Sequence, residues 1–238
     1  MEKELTILMP CLNEERTITE CISLAAEFIK KNEIDAEILV VDNGSTDNSL
    51  EAASYMGVRV VVEENQGYGN ALKRGINEAK GRYIIMGDSD MSYDFVKLTP
   101  FMIKLRGGDD LVIGDRFGGH INKGAMTWSH KYIGNPLLSS LGRYLSGSNI
   151  NDFNCGLRGF NTEKIKKLNL STEGMEFATE MIFKSQKAGY RISEVPITLH
   201  KDKRNGPSHL NTLRDGFRII NYMFKERGKN HGSKEKTS

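Results

Sequence analysis

The chain has 238 residues, enough for one large domain with a sizeable hydrophobic core. Its net charge of +2 excludes the strongly basic balance that is typical of nucleic-acid-binding domains. The 3 cysteines form no CxxC pair, so we predict neither a disulfide framework nor a zinc site, and we expect a reducing cytoplasm. No apolar run approaches the roughly 20 residues that cross a bilayer, so no membrane span is expected.

The first half of the chain alternates apolar runs with helical patterns. Continuous apolar runs typical of strands buried on both faces occur at residues 5–9, 38–41, 58–62, 83–86 and 111–113, with helices expected at about 15–31, 47–56, 69–80 and 95–105. This alternation predicts βαβ units, and therefore an α/β fold whose mostly parallel sheet is flanked by helices.

The second half is predicted to contain more helix than strand. Helices are expected at about 127–134, from residue 135 onwards, at 175–188 and at 210–226, and one strand at about 191–199. The last residues are polar. We therefore expect one domain over residues 1–226 and a disordered tail over residues 227–238.

Polar side chains follow four of the predicted strands, at the point where each strand ends. In an open α/β sheet, ligands bind beyond the carboxyl ends of the strands. One rim of the sheet should therefore bring together Asn13, Glu14, Asp42, Asp88, Asp90 and Arg116.

The two carboxylates of Asp88 and Asp90 directly follow an apolar strand. Adjacent carboxylates repel each other unless a cation lies between them. Hard oxygen ligands favour Mg²⁺ or Mn²⁺, which is often shared with substrate phosphates. A solvated turn is the alternative, because Asp and Ser are common turn residues.

Four further segments permit contacts with a nucleotide or its diphosphate, each with a structural alternative. Asp42 either accepts a hydrogen bond from a nucleobase N–H or a ribose hydroxyl, or only precedes a helix-capping loop in which Thr46 or Asp47 is the cap. Asn13 either touches nucleotide or caps the first helix. The glycine-rich turn at Gly67 either approaches a nucleotide closely or only tightens the entry to a helix. The basic loop with Lys203 and Arg204 either closes on a diphosphate or is solvated.

These motifs, taken in order, resemble the family-two glycosyltransferases of the Rossmann-like GT-A fold, and more narrowly the polyprenyl- or dolichyl-phosphate sugar synthases. The segments that carry the resemblance lie within about residues 5–215. They include Pro-Cys-Leu-Asn-Glu at 10–14, Gly-Asp-Ser-Asp at 87–90, Gly-Asp-Arg-Phe at 114–117, Asn-Asp-Phe-Asn-Cys-Gly-Leu-Arg at 151–158 and Gly-Pro-Ser-His-Leu at 206–210.

The resemblance implies roles for particular residues. It implies nucleotide contacts from Pro10, Glu14, Asp42 and Asp88, and a metal ion at Asp88 and Asp90. It implies acceptor-phosphate contacts near Arg116 and Arg158, with Asp152 in the reaction centre. Diphosphate contacts are implied from Lys203, Arg204 and Ser208.

The expected activity is inverting transfer of glucose, N-acetylglucosamine or mannose from a nucleoside-diphosphate sugar, with UDP favoured over GDP, to polyprenyl phosphate. Transfer to a soluble or protein hydroxyl is an alternative, with Asp152 or Glu176 as the base. A non-catalytic nucleotide-binding module is an alternative of another class. The chain departs from many relatives in having Ser92 two residues after Asp90, and His209 after Ser208.

Residues 126–146 are expected to bind the cytoplasmic membrane face peripherally. Leu137, Leu141 and Tyr144 recur at helical spacing, and the only Trp of the chain, Trp128, lies just before them. Residues 116–151 contain cations but no acid, which suits an anionic leaflet. The alternative is that these leucines pack on the sheet as ordinary core.

Overall fold

A computed structural model of the protein describes residues 2–204 and 212–232. Within these ranges the chain forms one seven-stranded sheet flanked by eight α-helices. The strands are β1 (Lys3–Cys11), β2 (Ala36–Asp42), β3 (Arg59–Val62), β4 (Gly81–Met86), β5 (Leu111–Ile121), β6 (Arg158–Asn161) and β7 (Ile192–Leu199). The helices are α1 (Ile18–Lys31), α2 (Ser49–Tyr55), α3 (Tyr68–Glu78), α4 (Thr99–Arg106), α5 (Asn135–Ser146), α6 (Thr162–Lys167), α7 (Phe177–Lys187) and α8 (Thr212–Gly232).

The sheet has the strand order β3-β2-β1-β4-β6-β5-β7. Its pairs are parallel except for β6, which runs antiparallel to both β4 and β5. The predicted α/β fold with a mostly parallel sheet is confirmed. Strand β6 was not predicted, because its four residues Arg-Gly-Phe-Asn form no apolar run.

The core lies on both faces of the sheet. Helix α1 buries Ile18, Ile22, Ala25 and Phe28, which recur at helical spacing along one face. Helix α3 packs so closely on β1 that a Cβ at Gly75 would lie 2.3 Å from Leu8 Cδ1. A fully buried aliphatic or aromatic side chain contributes about 1.5–3 kcal/mol, so these contacts hold the helices against the central strands.

The C-terminal elements differ from expectation in extent. Helix α8 reaches Gly232, so it continues past the expected domain end at residue 226. A short π-helical turn, His130–Gly134, leads directly into α5 within the predicted 127–134 helix. Helix α8 packs against α5 and α7. Among the residues described, no helix has both the length and the apolar composition needed to cross a membrane.

Candidate active site

The carboxyl ends of β1, β2 and β4 meet at one edge of the sheet, as predicted. Cys11 pairs with Asp42 across β1 and β2. The Gly87 N–H donates to Leu8 O at 3.1 Å, and the Ser89 hydroxyl donates to Pro10 O at 2.8 Å. These bonds attach the Asp88–Asp90 turn to the end of β1, so its carboxylates lie beside the residues that follow β1.

Glu14, Asp88 and Asp90 form an acidic cluster, and the Arg204 guanidinium lies inside it. Arg204 Nη2 pairs with Asp90 Oδ2, and Arg204 Nη1 lies 3.4 Å from Glu14 Oε1. The Asp90 and Glu14 side chains are only 6% and 5% exposed. The neighbouring Asp88 accepts a hydrogen bond from the Tyr68 hydroxyl at 3.0 Å. Buried like charges of this kind create a strong local preference for a cation.

The pKa values of two of these carboxyls are perturbed. Burial raises the pKa of Glu14 to about 7, and the Arg204 charge opposes this shift. Burial, followed by the negative charge of Asp90, raises the pKa of Asp88 to about 6. Carboxyl groups whose pKa values are raised toward neutral pH in a polar cleft are typical of functional sites.

The donor set at this edge fits a divalent cation that is shared with a substrate. Within residues 2–204 and 212–232, no three His, Cys, Asp or Glu side chains form a complete metal-binding group. Mg²⁺ usually takes one or two carboxylates and completes its shell with water and substrate phosphates. The Arg204 guanidinium already lies against Asp90. A Cβ at Gly156 would lie 2.7 Å from Asp88 Oδ2, so only glycine at position 156 leaves room for the Asp88 carboxylate. Two buried carboxylates that attract a cation match this partial shell.

Asp42 and Asn13 organise the adjoining loop. Asp42 Oδ2 accepts the N–H groups of Gly44 and Ser45, each at 3.2 Å. Its other oxygen, Oδ1, is buried without a hydrogen-bond partner among the described residues. A buried acceptor without a partner is costly, so it is suited to a ligand donor. Asn13 Oδ1 accepts the Thr46 N–H at 2.8 Å, so Asn13 joins the two loops. The N-cap position of α1 is held by Thr17, whose side chain makes no capping hydrogen bond.

An open cleft of about 210 Å³ lies between these groups. Its lining includes Asn13, Glu14, Thr46 and Arg204. The cleft therefore connects the loop after β2 with Glu14 and Arg204.

The glycine-rich turn serves a packing role. Gly67 has φ of 146°, and a Cβ there would lie 2.4 Å from Glu173 O. The Gly67 N–H donates to Asn43 Oδ1 at 2.7 Å, and the Gly69 N–H donates to Glu173 O at 2.8 Å. These contacts favour the tight-turn interpretation. The turn also places Tyr68 against Asp88, a contact that sequence reasoning missed although Tyr68 lies between the two glycines.

Arg116 and Asp152 form a buried ion pair near this rim. Arg116 Nε and Nη2 donate to the two carboxylate oxygens of Asp152 at 2.6 and 2.7 Å. The two side chains are 10% and 0% exposed. Glu194 on β7 accepts the Asp152 N–H at 3.0 Å and the Asn151 N–H at 2.9 Å. Glu194 was not predicted as a site residue. The only feature that could have indicated it is its position in β7, the strand next to β5.

The structure buries Arg158 instead of bringing it to the rim surface. Its side chain is 0% exposed, and its three guanidinium nitrogens donate to the carbonyl oxygens of Cys155, Phe153 and Ala178 at 2.6 to 2.8 Å. Arg158 therefore holds the 153–155 turn against α7. The expected phosphate contact from Arg158 does not fit this arrangement, because the side chain is fully buried and each of its three nitrogens already donates to a backbone carbonyl.

The basic loop is partly described. The Lys203 ammonium lies 3.1 Å from Glu20 Oε1 on α1. The backbone N–H of Lys203 donates to Asp90 O at 3.0 Å. Arg204 lies inside the acidic cluster. Ser208, the third residue expected to contact diphosphate, lies outside the described residues.

Residues 126–146 combine exposed and buried apolar side chains. Leu145 is buried, and Leu138 and Leu141 pack against the core. The exposed fractions are 68% for Trp128, 58% for Tyr132, 52% for Ile133, 65% for Leu137 and 73% for Tyr144. One face of α5 thus belongs to the core, whereas the other face and the preceding turn present a group of large apolar side chains.

This surface is attached to the turn that carries Asp152. The Phe153 N–H donates to Ser139 Oγ on α5 at 3.2 Å, and Asn154 Nδ2 donates to Asn135 Oδ1 at 3.1 Å. A Cβ at Gly142 would lie 2.6 Å from the Phe153 ring, so α5 packs directly on this turn. Helix α5 therefore connects the exposed apolar surface to the Arg116–Asp152 pair.

The chain is similar to proteins that transfer sugars. It is 36% identical over 220 residues to a low-salt glycan biosynthesis hexosyltransferase of Haloferax volcanii, covering 92% of this chain and 52% of that protein. It is 31% identical over 217 residues to a dolichyl-phosphate hexose transferase of the same organism, covering 91% of this chain and 90% of the relative. The chain thus spans about half the length of the first relative and most of the second.

The structural comparison agrees at the level of the fold. Glucosyl-3-phosphoglycerate synthase from Mycobacterium tuberculosis, crystallised with Mn²⁺, UDP and phosphoglyceric acid, aligns with a TM-score of 0.72 at 21% identity, covering 95% of this chain and 79% of that one. Residues 6–168, more than half of the chain, match the family model described as glycosyl transferase family 2. The chain belongs to glycosyl transferase family 2, as its motifs predicted, and has the GT-A fold.

Proposed function

We propose that the protein transfers a hexose, with inversion, from a nucleoside-diphosphate sugar to polyprenyl phosphate. The observation that carries the proposal is the acidic cluster of Glu14, Asp88 and Asp90 at the strand ends, with the Arg116–Asp152 pair at the same rim. Relatives named as a dolichyl-phosphate hexose transferase and a dolichyl-phosphate beta-glucosyltransferase support a polyprenyl-phosphate acceptor.

The donor occupies the cleft between the first two strand ends and the acidic cluster. The buried acceptor Asp42 Oδ1 receives a donor group of the nucleoside. Glu14 lines the cleft, and Pro10 keeps its expected contact with the nucleotide. UDP is favoured over GDP, since the structural neighbour was crystallised with UDP. Asp88 and Asp90 would hold Mg²⁺ or Mn²⁺, and such an ion would supply charge neutralisation for the leaving diphosphate.

The state of the two candidate bases favours a phosphate acceptor over a hydroxyl. Asp152 is engaged by both Arg116 nitrogens, and Glu176 pairs with Arg218 Nη2 at 2.6 Å. Each of these carboxylates is therefore already engaged in an ion pair with an arginine. A hydroxyl acceptor requires a base, whereas a phosphate monoester does not.

The reaction then needs positioning and charge stabilisation, and no proton transfer to the protein. The acceptor phosphate is already largely dianionic at neutral pH, because its second pKa is about 6. One of its oxygens forms a bond to C1 of the sugar while the bond from C1 to the diphosphate oxygen breaks, and the nucleoside diphosphate leaves with that electron pair. Arg116 orients the acceptor phosphate through the part of its guanidinium that Asp152 does not engage, and Asp152 holds Arg116 in place.

The exposed apolar side chains of residues 126–146 dock this rim onto the membrane surface. Trp and Tyr favour the headgroup region, and Lys131 and Arg143 suit an anionic leaflet. Helix α8 adds Leu213, Phe217 and Phe224, which are 86%, 71% and 54% exposed. Because α5 packs on the Asp152 turn, docking brings Arg116 close to a phosphate at the headgroup plane, on the cytoplasmic face.

The decisive experiment supplies UDP-linked and GDP-linked hexoses with Mn²⁺ and compares polyprenyl phosphate with polyprenol as acceptor. Lipid-extractable sugar is measured. Transfer to polyprenyl phosphate alone supports the proposal. Equal transfer to polyprenol would favour a hydroxyl acceptor, and tight UDP binding without any turnover would favour a nucleotide-binding module.

Membrane docking is tested by co-sedimentation with anionic vesicles that contain polyprenyl phosphate, at low and high salt. Leu137→Asp on α5 is compared with Ile103→Asp on α4, because the two native side chains are equally exposed, at 65%. Leu141 is unsuitable, since it packs on the core. We expect Leu137→Asp alone to reduce binding. If the wild-type protein does not sediment with the vesicles, the docking proposal is wrong.

A further inference from the structure

Arg204 occupies a position that conflicts with its expected role. As a diphosphate ligand it should face the donor phosphates, yet its Nη2 pairs with Asp90, one of the two carboxylates assigned to the metal ion. Its Nη1 lies 3.4 Å from Glu14 Oε1, and its Nε lies 3.6 Å from Asp202 Oδ2. The three nitrogens thus each approach a different carboxylate, and the side chain is only 13% exposed.

The backbone that leads to Arg204 is attached to the same turn as Asp90. The Lys203 N–H donates to Asp90 O at 3.0 Å, and the His200 N–H donates to Ser92 O at 2.9 Å. Lys203 is also paired with Glu20 on α1. Arg204 therefore follows an anchored residue directly, so a rotation of its side chain is enough to exchange a carboxylate for a nearby phosphate.

Two cations cannot share Asp90 Oδ2 without strong repulsion at these separations. A divalent ion that reaches Asp90 must first displace the guanidinium, which costs the Arg204–Asp90 interaction. A diphosphate offers the guanidinium two or more charged oxygens in a geometry that it binds well. The exchange of partners is then favourable only when metal and diphosphate are both present.

We propose that Arg204 is an internal counter-ion that competes with the divalent cation for Asp90, and that the donor diphosphate relieves this competition by binding Arg204. The inference rests on the proposed function, because it requires a diphosphate donor and a metal ion at Asp88 and Asp90. In the absence of nucleotide, the metal ion should then bind weakly. Metal and nucleotide should each increase the affinity for the other, and by linkage the factor is the same for either order of addition.

The test measures Mn²⁺ binding by electron paramagnetic resonance, for the protein alone and with saturating UDP. Arg204→Gln is compared with wild type and with Arg106→Gln. Arg106 is a matched control, because it pairs with Glu4 at the start of β1, at the opposite edge of the sheet. We expect Arg204→Gln to bind Mn²⁺ alone about tenfold more tightly than wild type, within the usual range of coupling between sites. UDP should then increase its Mn²⁺ affinity by a smaller factor than in wild type.

Arg204→Lys separates charge from shape and keeps the test valid if the Gln variant does not fold. It retains a cation and should bind Mn²⁺ alone as weakly as wild type. If Lys and Gln bind alike, or if Arg204→Gln does not tighten Mn²⁺ binding while wild type still binds Mn²⁺ with UDP, the competition is overturned and the proposed function stands. If wild type binds no Mn²⁺ even with UDP, the metal role in the proposed function fails, and this inference fails with it.

Discussion

Replacing Asp152 with Asn should destabilise the protein by about 3 kcal/mol, at the lower end of the cost of breaking a buried ion pair. Asp152 is 0% exposed and binds Arg116 through two side-chain bonds of 2.6 and 2.7 Å. Asn keeps one oxygen, so one of these bonds is lost, and the Arg116 charge remains buried without its counter-ion. A hydrogen bond to a charged group contributes about 1.5–3 kcal/mol, which agrees with this magnitude.

The control is an ion pair of the same length on the surface. Lys3 Nζ lies 2.6 Å from Asp35 Oδ1, but the two side chains are 39% and 65% exposed. Asp35→Asn should therefore cost less than about 1 kcal/mol. The free energy of unfolding is measured for both variants by urea denaturation followed by circular dichroism. If Asp152→Asn costs no more than Asp35→Asn, the argument from burial is wrong.

A double variant separates stability from function. Arg116→Leu combined with Asp152→Leu removes both charges, so it should recover most of the stability that Asp152→Asn loses. It should nevertheless transfer no sugar, because nothing remains to orient the acceptor phosphate. UDP binding with Mn²⁺, measured by calorimetry, should persist in both variants, since the proposed nucleotide contacts lie elsewhere at the rim. A double variant with normal turnover would contradict the role given to Arg116.

Three further predictions concern the reaction and its pH dependence. Asp90→Asn, or EDTA added to wild type, should lower turnover by at least about 100-fold, and full activity in EDTA would remove the metal from the proposal. The product anomer, determined by NMR, should be inverted relative to the donor, and retention would exclude a single displacement. Because burial raises the pKa of Glu14 to about 7, its protonated form favours the folded state, so the related stability is complete below about pH 4.5 and is lost as the pH rises through about 7. Thermal melts in EDTA should show this decline, worth up to about 3 kcal/mol, and Glu14→Gln should flatten it.

Local patterns in the sequence determined the scaffold and the place of the site. Each predicted apolar run forms a strand, and all but the edge strand β3 are largely buried, as continuous apolar runs predict. Asp42, Asp88 and Asp90 directly follow or end such runs. Parallel strands end at the same edge of a sheet, so the grouping of these carboxylates followed from order along the chain alone. The family followed from the motifs that those strand ends carry.

Strand β6 and the burial of Arg158 depended on contacts between distant segments. Arg-Gly-Phe-Asn has no strand pattern, and it forms a strand because β4 and β5 provide antiparallel partners on both sides. The family resemblance implied that Arg158 contacts the acceptor phosphate, whereas the structure buries its side chain completely. Only the folded chain supplies the three carbonyl oxygens that satisfy it.

The electrostatics of the site were likewise decided by tertiary structure. Sequence reasoning identified Arg204 and Asp90 separately, but they are 114 residues apart, and only the folded chain sets the guanidinium against the carboxylate. The same holds for Glu194, which positions Asp152 from the neighbouring strand, and for the division of α5 into a core face and an exposed face. Periodicity predicts that a helix has an apolar face, but whether a given side chain is covered depends on which elements pack against that helix.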